Sequence, residues 1–149
     1  MKKCVVAVMA VCLLLLTACS DIDVKRADDT ALGYIQALLT GDSKEVSAYT
    51  HPVSGGEAIP SEDYYALLSE SYFINAGDEL IGLDSADKRY SDDTELEGRV
   101  IVCNYIAYID SIFYDFVITV LDNEEGYGVV ACTVGFCTDE KYIGGEVSA

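Results

Sequence analysis

Three β-rich runs constrain this chain more than any other feature: Arg99 to Ile109, Ile112 to Leu121 and Tyr127 to Thr138, dominated by Val, Ile, Tyr, Phe and Thr. Asp110-Ser111 joins the first pair and Asp122-Asn123-Glu124-Glu125-Gly126 the second, both short enough for antiparallel hairpins. The runs therefore predict a meander. With a two-residue loop at Asp110-Ser111, Ile109 faces Ile112 and Cys103 faces Ile118, and the second loop sets Ile118 opposite Ala131.

The preceding half changes period. Asp28, Asp29 and Thr30 offer N-cap oxygens, and Ala31, Tyr34, Ile35, Leu38 and Leu39 share one helical face that Gly41 closes. Asp42 and Glu45 resemble a capping box for a second short helix carrying Val46, Ala48 and Tyr49, ended by His51-Pro52. Beyond a loop with Gly55-Gly56, Pro60-Ser61-Glu62-Asp63 starts a third helix. It aligns Tyr64, Leu67, Leu68, Ser71 and Tyr72 and stops at Asn75-Ala76-Gly77. Glu79 to Tyr90 is a weak strand candidate broken by acidic residues, and Ser91 to Thr94 is a turn cluster, which leaves the strand count open. Helices first and an antiparallel sheet afterwards make an α+β fold, with N-terminal helices packed on one face of a curved sheet.

The register assigns side chains to faces. Cys103, Tyr105, Ala107, Tyr114, Phe116, Val129 and Cys137 fall on one face; Asn104, Ile106, Tyr108, Phe113, Asp115, Val117, Cys132 and Phe136 fall on the other. Both are largely apolar, so each needs a cover. Helices supply one, and a partner subunit, a ligand, further chain or the sheet's own curvature supplies the other.

At the front, Lys2 and Lys3 precede an unbroken small or apolar run from Cys4 to Leu16, followed by Thr17, Ala18 and Cys19. The span from Cys4 to Ala18 is shorter than the roughly 20 residues that cross ~30 Å of hydrocarbon, and its order is that of an export signal. Leu16-Thr17-Ala18-Cys19 resembles the lipobox of bacterial lipoproteins. The resemblance implies that the Cys19 sulfur receives a diacylglycerol, that cleavage before Cys19 removes the signal, and that the mature protein is held outside the cytoplasm on the cell membrane or outer membrane. It divides the chain into a signal peptide at 1–18, a lipidated tether at 19–28 and a single α+β domain at 29–149.

Charge narrows the partners. With 9 Lys and Arg against 26 Asp and Glu, the net charge of −17 excludes nucleic acid, which needs a basic surface to displace counterions. Losing Lys2 and Lys3 with the signal leaves a mature charge of −19, a body that an anionic lipid surface repels. Membrane attachment then falls to the acyl chains on Cys19, at ~0.8 kcal/mol per buried CH₂.

Ala31-Leu32-Gly33-Tyr34-Ile35-Gln36-Ala37-Leu38-Leu39-Thr40-Gly41-Asp42, with a short helix ending at Tyr49, resembles the opening of cone-shaped domains similar to nuclear transport factor two, also called cystatin-like. That resemblance spans Asp28 to Thr138 loosely. It implies a pocket between the helices and the concave sheet face, for a small ligand, and a homodimer through the sheet. The acidic stretch from Glu79 to Gly98 departs from the pattern.

The chemistry-bearing residues are sparse. Cys103, Cys132 and Cys137 follow Cys19 in the mature chain. Cys103 and Cys132 lie two strands apart, about 9.6 Å at ~4.8 Å per strand and beyond the ~7 Å limit for a disulfide. Cys132 and Cys137 point to opposite faces, so three unpaired, mostly buried thiols are expected. With His51 as the sole histidine, no ligand spacing for a metal arises, and no phosphate loop or other cofactor motif is present. His51 before Pro52 reads as a turn residue, and no nucleophile motif accompanies it. The acidic clusters at Asp84 to Asp87, Asp92 to Glu97 and Asp122 to Glu125 read as solvated surface. The one catalytic candidate is Asp115, placed mid-strand near Asn104, Tyr108 and Phe113, where burial would raise its pKa. Two functions follow. One is a non-catalytic ligand- or protein-binding module on a lipid anchor; the alternative is a small isomerase- or dehydratase-like enzyme using Asp115. A pocket enclosing Asp115 and walled by Tyr34 and Leu38 would favour the enzyme, and an open apolar sheet face the binding module.

Overall fold

The computed structural model describes residues 24–91 and 96–138. A first helix, α1, occupies residues 24–40, so it includes 24–28, which the sequence assigned to the tether. The reason is tertiary. Ala27 is fully buried, and Asp28 serves the sheet rather than a helix cap: Lys88 Nζ and Tyr105 Oη donate to its two carboxylate oxygens, both at 2.6 Å. Gly41, at φ 74°, ends α1, and a side chain there would meet Ala76 at 2.7 Å.

Helix α2 spans Ser43–Ser47, with Asp42 Oδ1 accepting from Lys44 N at 2.8 Å, and buries Val46. A 3₁₀ turn at Gly56–Ala58 leads to α3, Glu62–Tyr72, capped by Ser61 Oγ. Phe73 in the left-handed region closes α3, two residues ahead of the expected Asn75 stop. Leu68 is buried on its inner face, whereas Leu67, expected to share that face, is 47% exposed.

Four strands form one antiparallel sheet in the order β1-β2-β3-β4: Leu80–Ser91, Arg99–Ile109, Ile112–Asn123 and Gly126–Phe136. The weak candidate at Glu79 to Tyr90 is thus a full strand, bulged between Leu80 and Gly82 and between Ser85 and Asp87. Ile109 pairs with Ile112 and Cys103 with Ile118, as the two-residue turn requires, and Asp110 and Ser111 both take positive φ. The β3–β4 loop is tighter than expected, since Asp122 pairs with Tyr127 and Asn123 with Gly126.

The expected β3–β4 register holds only as far as Val120↔Val129; a bulge then inserts Val130, and Ile118 pairs with Cys132 rather than Ala131. The extra residue reverses the faces of the rest of β4. Cys132 and Phe136 stand on the helix-covered face with Cys103 and Tyr114, opposite to their expected placement, and Cys137 moves to the other side. The main core lies between this inner face and the helices, joining Tyr34, Ile35 and Leu38 to Cys103, Tyr114, Phe116 and Ile118. A small second cluster, Val100, Leu121 and Val130, sits on the outer face.

Candidate functional site

The outer face carries Val102, Asn104, Tyr108, Phe113, Asp115 and Val117 half-buried, with Ile106 buried beneath them. All three described helices pack on the opposite face, so no helix of the described residues covers this one. Tyr108 and Phe113 face each other across β2 and β3, their rings stacked 4.5 Å apart at 24°. Asp115 pairs with Ile106 on one side and Gly135 on the other. It is on the far side of the sheet from Tyr34 and Leu38, so the fold does not bring together the three residues that would wall a catalytic pocket.

On the inner side a cleft of about 180 Å³ opens between α1, the 3₁₀ turn, α3 and β4, with Tyr34, Ser61, Tyr64 and Cys132 in its lining. Tyr34 Oη donates to Ala58 O at 2.5 Å, which pins the turn to α1. Desolvation pushes the Cys132 thiol up to about 12, with a hydrogen bond to Tyr34 opposing it weakly. The Tyr34 and Tyr64 phenols are also raised, chiefly by burial. A thiol so protonated is a poor nucleophile at neutral pH. Cys103, buried beside Tyr105, is likewise raised by desolvation. All three cysteines of the described domain are unpaired, and Ile118 stands between Cys103 and Cys132 in the ladder. Only Cys103 is fully buried; Cys132 and Cys137 are half-buried.

His51 is 2% exposed and structural. Its Nδ1 accepts from Val53 N at 3.3 Å and Ser54 N at 3.0 Å, so Nε2 carries the proton and donates to Asn123 Oδ1 at 3.0 Å. Asn123 Oδ1 also accepts from Glu125 N and Gly126 N, and its Nδ2 donates to Glu97 O. One imidazole and one amide thus tie the 51–55 loop to both hairpin ends. Nothing in the local sequence signals this beyond the histidine itself, because Asn123 is 72 positions away.

Beside that knot lies an open groove of about 670 Å³ bordered by Glu97, Glu124, Glu125 and Leu121. Among the described residues no group of three or more His, Cys, Asp or Glu side chains could hold a metal ion. No described helix is long and apolar enough to cross a membrane. Cys19 lies outside the described residues. No family model, curated protein or solved structure matches the chain.

Proposed function

We propose that this protein is a lipid-anchored envelope module that binds a ligand or protein partner through its outer sheet face. The carrying observation is that face itself: Val102, Tyr108 and Val117 stand half-buried on it above the buried Ile106, and no described helix lies over it. An apolar face of this kind marks a recognition surface more often than a reaction centre. A cone-like, cystatin-like domain would fit the same reading, since the helices pack on one sheet face and the cleft they leave against β4 is about 180 Å³. Acyl chains on Cys19 hold the acidic body at the bilayer.

Two measurements test this. Cys19→Ser should abolish incorporation of a labelled fatty acid and move the protein from the membrane fraction to the soluble one; unchanged fractionation overturns the anchor. In cells lacking the protein, Val117→Lys should fail to restore function while Asp115→Asn restores it. The opposite pattern assigns the work to the carboxylate and favours the enzyme.

A further inference from the structure

The two edges of the sheet are built differently. Edge strand β1 is interrupted by two bulges and carries Asp84, Asp87, Lys88 and Arg89, devices that discourage pairing with another chain. Edge strand β4 has neither charge nor proline: the run from Gly126 to Thr138 is uncharged throughout, in a chain that is 23% charged. Its one bulge lies at Val130, before the stretch that follows.

Hydrogen-bond parity shows what that edge offers. Cys137 N donates to Phe113 O, so the odd-numbered residues of late β4 direct their backbone groups toward β3. Cys132, Val134 and Phe136 therefore direct theirs outward. Earlier on the same edge the outward groups of Val129 are taken, its N–H by Tyr49 O and its C=O by His51 N. No such partner exists for Cys132, Val134 or Phe136 among the described residues. Phe136 is also 45% exposed, its ring in contact on one side with Tyr72 and Tyr114.

We infer that this edge pairs antiparallel with the same edge of a second copy, joining two four-stranded sheets into one of eight strands. The geometry is self-complementary. A two-fold axis at Val134 sets Val134 opposite its own copy and Cys132 opposite Phe136 of the partner subunit, so every outward N–H and C=O of the three residues meets its complement. The pairing is uncharged on both sides, which matters for two bodies that repel each other elsewhere. Because the axis is normal to the sheet, both helix layers stay on one side, and the two outer faces form one continuous surface on the other.

A covalent trap tests the register. Residues in a hydrogen-bonded antiparallel pair have Cα atoms about 5.5 Å apart, within disulfide range. The full chain carrying Val134→Cys with Cys132→Ser and Cys137→Ser should form a disulfide-linked dimer in cells under mild oxidation. Thr133→Cys in the same background should give at least tenfold less, since a residue one step off the axis sits about 8 Å from its copy. The unsubstituted protein should show a dimeric native mass at high concentration. Val134→Pro should return it to a monomer with its fold intact, because of the backbone hydrogen bonds the proline removes only an outward one and its ring keeps most of the apolar contact Val134 makes with the core. A monomer at every concentration, equal cross-linking at 133 and 134, or a dimer that survives Val134→Pro overturns the proposal. So does a dimer that forms only once residues 139–149 are removed, since the edge would then be covered by the chain's own end.

Discussion

At the scale of single residues, the polar knot around His51 does the most with the fewest atoms. Its imidazole accepts two loop N–H groups and donates to Asn123 while only 2% exposed. His51→Ala would remove the acceptor of the Val53 and Ser54 N–H groups, of which Ser54 is half-buried, while Asn123 Oδ1 keeps Glu125 N and Gly126 N, and should cost about 1–3 kcal/mol, the penalty of one unsatisfied group. A shift of the urea midpoint at constant slope would show it; an unchanged midpoint would mean that water replaces the ring without loss. The turn position of His51 was legible from the following proline, but its partner was not, because Asn123 reaches it only after two strands have folded. Asp115 teaches the converse. Its strand and the neighbours that share its face were readable from alternation, yet whether a helix wall would close over it depended on which face the helices chose.

At the scale of elements, hairpin geometry was written locally and strand irregularity was not. The Asp110-Ser111 turn takes the two positive φ values a two-residue hairpin needs, and the β2–β3 register follows from it. The bulge at Val130 has no comparable signal, and that one residue reverses the side of every later β4 side chain. Gly128 is the neighbouring clue, a glycine inside a strand of otherwise bulky residues, where a backbone passes close by. A Cβ there would lie 2.4 Å from His51 N and from Thr50 C, both backbone atoms. Gly128→Ala should therefore destabilise by about 1–3 kcal/mol, as overpacking does. The check is a thermal melt beside Gly56→Ala, where a Cβ meets nothing within 4 Å. Equal melting temperatures would show that the 49–51 segment is not seated against β4 as described.

At the scale of the whole molecule, the helix–sheet interface is lined with phenols that fold in neutral form. Burial raises Tyr127 from 10.0 to about 12, and raises Tyr34, Tyr64 and Tyr105 further, the last also through its hydrogen bond to Asp28. An acid whose folded pKa exceeds its unfolded one binds its proton more tightly when folded, so its stabilisation is complete below the unfolded value and declines above it. The urea midpoint should hold steady up to about pH 9.5 and fall between pH 10 and about 12; a flat profile through pH 12 would contradict the burial of these rings. The sequence by itself determined the order of helices before strands, the antiparallel meander, the apolarity of both sheet faces and the residues that resemble a lipid-attachment signal. Each of these is carried by neighbours a few positions apart, through periodicity, capping and turn chemistry. Only the tertiary structure decided that α1 takes in residues 24–28, that Cys132 and Phe136 turn inward, that Asp115 lies on the face opposite the helices and that the outward backbone groups of late β4 have no backbone partner among the described residues. Those outcomes rest on contacts between segments far apart in the chain, such as Asp28 with Lys88 and His51 with Val129, which no local pattern encodes.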